Sequence, residues 1–233
     1  MVAVHSSRIL RSAVLGSLCS AHRAPSLGDL GPVGRCADRP TLVICICDDS
    51  GSVTAPGGTD PISNRYRELE GALRHFARSC RCGHELAAVL HFDSPHGDVG
   101  PVPMNRRGMT QLLPTLRVPP GGMGTSDLLP SLRRAVDLAD DRPEHDVVLV
   151  IFSDFYLTDH DPNAVADEVG TFPGPIYACT LGGSQQLPYA DHQIAIDDRS
   201  PPGTVARALL GGLTHYRTVR RPESPDTVHP PSD

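Results

Sequence analysis

The chain has 233 residues and a formal net charge of −6, so it has no global attraction to phosphate backbones or anionic lipid. Hydrophobic residues make up 39% and aromatics 4%, with no Trp, which suits one aliphatic core and disfavours modules that stack nucleic-acid bases on aromatic platforms. All 21 basic residues are Arg, and this removes enzyme classes that need a lysine.

Length and composition fit one domain with tails. Residues 1–39, rich in Ser, Gly, Pro and Arg, read as a flexible N-terminal arm. Residues 40–217 read as the domain, and the Pro-rich polar segment 218–233 as a disordered tail. The apolar stretch 13–18, after Arg8 and Arg11, partly resembles a signal peptide, but it is short and broken by Gly16 and Ser17. No run approaches the roughly 18 apolar residues of a membrane helix. A cytoplasmic setting is therefore expected over export, with neither membrane nor nucleic acid as partner.

In chain order, TLVICIC over 41–47 is a continuous β-branched run, the pattern of a strand buried on both faces. Residues 64–79 carry Tyr66, Leu69, Leu73, Phe76 and Ala77 at helical spacing. Strands are expected over 86–92 and, after a tight turn, 99–104. Helices follow over 110–116 and 126–138, then a buried strand over 146–152, a helix over 162–169, strands over 175–181 and 193–196, and a last helix over 204–216. Strands separated by helices imply parallel pairing with right-handed crossovers. The tight link before residue 99 implies one antiparallel edge strand. The expected fold is an α/β, doubly wound, mostly parallel sheet with helices on both faces, whose ligand site lies beyond the carboxyl ends of the strands.

At that edge the first strand runs into Asp48-Asp49-Ser50-Gly51-Ser52. Residues two apart in extended backbone point the same way, so Asp48, Ser50 and Ser52 can present three oxygens to one point. Asp154 follows another buried strand, and the loop PPGGMG over 119–124 delivers Thr125 at a helix start. Five hard oxygen donors without His or Cys suit a hard cation. Taken alone, DDSGS could equally be a turn that caps a helix. Asp49 is expected to hydrogen-bond within the loop, Asp127 to sit in a helix first turn, and His91 and His96, neighbours of Asp93, to be on the surface. No HExxH spacing occurs, so a zinc hydrolase is rejected. Of seven cysteines, most are expected reduced, with Cys45 and Cys47 buried as small hydrophobes. Cys80-Arg81-Cys82 could be half of a zinc site, but no second pair with ligand spacing follows it.

The pattern Asp48-x-Ser50-x-Ser52, then Thr125 after a glycine-rich loop, then Asp154 after a buried strand, resembles the metal-ion-dependent adhesion site of von Willebrand factor A-type domains. The resemblance covers roughly residues 41–217 and includes the order of elements. It implies that Ser50, Ser52 and Thr125 coordinate Mg²⁺, or Mn²⁺, directly or through water. Asp48 and Asp154 hold coordinated waters, and a partner protein's Glu or Asp fills the open position. Two departures stand out. Phe155 follows the last aspartate where the family often has Gly, and Met123-Gly124 separates Gly121-Gly122 from Thr125.

The implied function is a metal-dependent protein-interaction module and not an enzyme. Its implied setting is that of an intracellular bacterial adaptor, beside an AAA+ ATPase or in a stress or defence system. The alternative is a Mg²⁺-dependent phosphohydrolase with Asp48 as nucleophile. Such enzymes want a second Asp where Ser50 stands, and commonly a lysine. A P-loop NTPase is excluded because no GxxxxGK[ST] is present.

Overall fold

The computed structural model describes residues 30–60, 63–92, 97–120, 124–183, 185–197 and 199–217. Residues 1–29 of the expected arm, the expected tail 218–233, and Asp93, His96 and residues 121–123 lie outside the described residues.

Among the described residues six strands form one sheet: β1 (Thr41–Cys47), β2 (Leu86–His91), β3 (Val99–Pro103), β4 (Asp146–Ser153), β5 (Ile176–Leu181) and β6 (His192–Ile196). Their spatial order is β3-β2-β1-β4-β5-β6. All neighbours pair parallel except β2 and β3, which pair antiparallel. The order reverses between β1 and β4, where ligands bind in open sheets of this kind. The helices are α1 (Gly51–Thr54), α2 (Asn64–Ser79), α3 (Arg106–Leu112), α4 (Leu129–Asp140), α5 (Pro162–Thr171) and α6 (Thr204–Leu213); a 3₁₀ turn, Leu113–Thr115, extends α3.

All seven residues of β1 are buried, as its continuous apolar run requires. Because successive side chains alternate, Val43, Cys45 and Cys47 pack toward α2, α3 and α6, while Leu42, Ile44 and Ile46 pack toward α4 and α5. Helices thus cover both faces of the sheet. Among the described residues no helix is long and apolar enough to cross a membrane.

Several boundaries differ from expectation for local reasons. The third helix begins at Arg106, not near residue 110, because the Asn105 side chain accepts from the backbone N–H of Arg107 and Gly108 and caps it. The fourth begins at Leu129, not 126. Its first N–H groups are satisfied from a distant loop, with Leu128 and Leu129 donating to the two carboxylate oxygens of Asp159 at 2.9 and 2.8 Å.

Residues 30–39, inside the stretch read as an arm, contact the body. Val33 is buried in the α2–α6 core. The Gly31 carbonyl lies 2.8 Å from His75 Nε2, and Cys36 is disulfide-bonded to Cys82. Cys45, Cys47, Cys80 and Cys179 are free, and the first, second and fourth are buried as expected of Cys45 and Cys47. Burial pushes the Cys179 thiol well up, so it behaves as a hydrophobe.

Candidate functional site

Parallel register sets the first contacts. Cys47 pairs with Phe152, and Asp48 N donates to Phe152 O at 2.9 Å. The next residues along the two strands are therefore Asp48 and Ser153, with Asp154 one step beyond. Ser153 Oγ donates to Asp48 Oδ2 at 2.6 Å, and Ser50 N donates to Asp48 Oδ1 at 2.8 Å. Asp48 is fully buried and Asp154 nearly so. Burial raises the Asp48 pKa, hydrogen bonds from Ser153 and Ser50 oppose this, and the nearby Asp154 charge adds to the rise.

Ser50 and Ser52 meet by a route other than strand alternation. Ser50 is the N-cap of α1, and Ser52 lies within that turn. The capping reading of DDSGS is thus half right: a helical turn does begin there. Yet the Ser50 side chain makes no capping bond, although capping is what a serine at such a place ordinarily does. Its Oγ instead lies 3.0 Å from Ser52 Oγ, on the loop that carries Asp48.

Thr125 is exposed on the segment before α4. The next residue is tied to the loop after β4: Ser126 N donates to Thr158 Oγ1 and Thr158 N donates to Ser126 O, each at 3.2 Å. Thr125 is therefore at the same carboxyl edge as Asp154. Asp127 precedes the helix and accepts from Thr158 Oγ1 at 2.7 Å, so it braces the two loops and has no place in a helix first turn.

Beneath this edge lies a buried ionic network that the sequence did not suggest. Arg65, on α2 and 1% exposed, donates through Nη1 to Asp60 Oδ2 at 2.8 Å, through Nη2 to Asp48 O at 2.8 Å, and through Nη2 to Asp49 Oδ1. Tyr66 OH donates to Asp49 at 2.8 and 3.0 Å. His91 Nδ1 lies 2.7 Å from Asp49 Oδ2, and His91 is buried, contrary to the surface position expected of it. Burial disfavours the Arg65 charge, but Tyr66, Asp60 and Asp49 together hold its pKa above the ordinary arginine value. Asp49 is thus more than a loop hydrogen-bonder; it is the hub of a charge cluster in the core. The one sequence signal is the cluster of polar residues Asp48, Asp49, Ser50 and Ser52 around Gly51, whose sidedness cannot be read without the fold.

Phe155 takes φ 55°, the left-handed conformation, at the position where the resemblance leads one to expect Gly. Its backbone N donates to Ser153 Oγ at 2.8 Å, and its ring is buried among the α4–α5 side of the core. Tyr156 follows, 56% exposed, with its N donating to Asp154 Oδ1 at 3.1 Å.

The chain is thus an open, doubly wound α/β protein with hydroxyl and carboxylate oxygens gathered on loops at the carboxyl edge of β1 and β4. No protein family model matches it, and no curated protein does. Among solved structures it is similar to the pilus adhesin SpaC from Lactobacillus rhamnosus GG, with TM-score 0.58 and 10% identity over 79% of this chain and 31% of that one. It is also similar to a von Willebrand factor type A protein from Catenulispora acidiphila, with TM-score 0.53 and 12% identity over 76% of this chain and 43% of that one. The chain spans less than half the length of either. Its fold is that of a von Willebrand factor A-type domain.

Proposed function

We propose that this protein is a metal-dependent protein-interaction module, holding one Mg²⁺ (or Mn²⁺) through Ser50, Ser52 and Thr125, with Asp48 and Asp154 holding its coordinated waters. The observation that carries this is Ser50: a helix N-cap serine whose hydroxyl is turned from the helix to Ser52 Oγ, 3.0 Å away, on the loop of the buried Asp48. The donor chemistry fits, since Mg²⁺ takes six oxygens at about 2.0–2.1 Å and parts with its waters reluctantly. When bound, the ion would supply an electrophilic position open to one external carboxylate. Two protein carboxylates about neutralise it, and the hydroxyls add no charge.

The chain's own residues prepare that position. Ser153 and the Ser50 N–H fix both oxygens of Asp48, and the Tyr156 N–H orients Asp154. Exposed Thr125 and Tyr156 stand where a partner would approach. The partner in this reading is a protein offering a Glu or Asp, and the setting is a cytoplasmic adaptor role, such as service beside an AAA+ ATPase. No catalytic step is assigned.

The test has two parts. Titration calorimetry should detect one Mg²⁺ or Mn²⁺ per chain, weakened at least tenfold by Asp48→Ala. Partner capture from native extract should need Mg²⁺, fail in EDTA, and fail with Thr125→Ala, which leaves the fold intact because Thr125 is exposed. Loss of a metal-bridged contact should far exceed the roughly 0–1 kcal/mol of a surface ion pair. Equal capture by both proteins in both buffers would refute the reading.

A further inference from the structure

At the opposite end of the sheet, about 20 Å away along the seven residues of β1, three sulfurs converge. The ligand atoms of Cys36, Cys80 and Cys82 all lie within 4.8 Å of one another, and those of Cys82, His84 and Glu85 do likewise. Cys36 is bonded to Cys82. A disulfide needs two sulfurs, however, and accounts for neither the third thiol nor the imidazole beside them.

The local chain explains the convergence. Cys80, the C-cap of α2, has extended backbone, so Cys80 and Cys82 fall on alternate positions. Gly83, at φ +77°, bends the segment in a way that favours glycine. Cys36 arrives from the segment that buries Val33 against α2 and α6.

We propose that the reduced cluster is a zinc site, with Cys36, Cys80 and Cys82 as thiolate ligands and His84 as the fourth. Tetrahedral Zn²⁺ with Zn–S bonds of about 2.3 Å sets its sulfurs about 3.8 Å apart; all three sulfurs lie within 4.8 Å of one another, and those of Cys36 and Cys82 have only to separate from their bonded distance. Glu85 is not the fourth ligand, because it is buried and committed to Thr41 N at 2.7 Å and Arg217 Nη2 at 2.6 Å. His84 is exposed and its ring can turn.

Arg217 supplies the complementary charge. Its Nη2 lies 3.0 Å from Cys80 Sγ and 3.4 Å from Cys82 Sγ. Thiols are weak acceptors, whereas thiolates on zinc make such contacts charge-assisted. Three thiolates and one Zn²⁺ leave a charge of −1, and the guanidinium, which also holds the Glu85 carboxylate, is shared between the two anions.

The disulfide and the metal are alternative states of the same sulfurs. Opening the Cys36–Cys82 bond takes two electrons, here from a phosphine that becomes its oxide, and two protons, from the water that gives the oxide its oxygen. Binding then releases three thiol protons as three Zn–S bonds form. Bound zinc would clamp the chain before β1 to the α2–β2 connection.

The test uses the full chain, reduced with a phosphine and freed of metal, titrated with Co²⁺. The expected result is a thiolate-to-cobalt charge-transfer band and tetrahedral d–d bands, saturating at one ion per chain and displaced by Zn²⁺. Cys36→Ser and Cys80→Ser should each abolish the band, and His84→Ala should weaken binding at least tenfold. Since a variant can fail to fold, alkylation of the wild type is the companion measurement: Zn²⁺ should protect Cys36, Cys80 and Cys82 together. Absence of the band in reduced wild type, its persistence in Cys36→Ser, or no zinc protection would each overturn the proposal and leave a plain disulfide with Cys80 as a bystander.

Discussion

Arg65→Met is the sharpest probe of the core beneath the Asp48 loop. The side chain is 1% exposed and bonds Asp49, Asp60 and the Asp48 carbonyl. Met matches much of its volume, so the change removes charge and donors more than packing. Deleting one partner of a buried pair costs about 3–5 kcal/mol, because the remaining carboxylate stays buried without its counter-charge. Two carboxylates are affected here, but each keeps other donors: Asp49 has Tyr66 and His91, and Asp60 has the backbone N–H of Asn64 and Arg65. The expected loss is thus about 4 kcal/mol in total, near the middle of that range. With a urea m-value of about 2 kcal/mol/M, the midpoint should fall by about 2 M at unchanged slope. A double-mutant cycle with Asp49→Asn completes the measurement. Once Asp49 is neutral, losing Arg65 should cost less, with a coupling of about 1–3 kcal/mol. A midpoint shift below about 0.5 M, or strict additivity, would show that the network contributes nothing as a unit.

Two further outcomes follow from neighbouring groups. Burial lowers the His91 pKa, but the hydrogen bond to Asp49, with the Cys47, Asp49 and Asp98 charges, leaves it raised; its stabilising contribution is therefore complete below about pH 6.5, the unfolded value, and is lost as pH rises through the higher folded value. The stability gap between wild type and His91→Gln, from urea melts across that range, should shrink with rising pH, and a constant gap would refute the assignment. Phe155→Gly should relieve a left-handed φ worth about 1–2 kcal/mol and lose a buried ring worth about 3–5 kcal/mol; the melting temperature should drop by roughly 4–8 °C, and a rise would mean that strain outweighs packing.

The strand TLVICIC and the helix Asn64–Ser79 were legible to the residue because a continuous apolar run and a 3.6-residue period each leave one reading. The edge strand and the parallel order followed from link lengths. The buried face of α2 was not legible. Its apolar residues were seen, but Arg65 and Glu68 were not assigned to it. Their partners Asp49 and Asp60, and the Gly203 and Ala206 N–H groups that donate to Glu68, come from other parts of the chain. The start of α4 was misplaced for the same reason, its capping carboxylate, Asp159, being about thirty positions away. At the candidate site, the donors Asp48, Ser50 and Ser52 were legible as a motif. Their convergence was argued from strand alternation, whereas the fold achieves it with a helical turn after an extended N-cap.

That turn also explains why the ionic core and the loop above it belong to one device. Asp48 and Asp49 are adjacent, and Arg65 holds both, one by its backbone carbonyl and the other by its carboxylate. Asp60, fixed to the first N–H groups of α2, anchors the guanidinium from below. A shift of the Asp48 loop would therefore strain buried charge-assisted bonds, which are stiffer than contacts to water. Sites that bind an ion with strict geometry gain from such support. Arg65→Met should consequently weaken Mg²⁺ binding in calorimetry even under conditions where the variant is fully folded. Asp49→Asn, which keeps Arg65 on the Asp48 carbonyl, should weaken it less. If the two variants bind Mg²⁺ as wild type does while their stabilities differ, the network serves the core alone and the loop is held by Ser153 and the strand ladder.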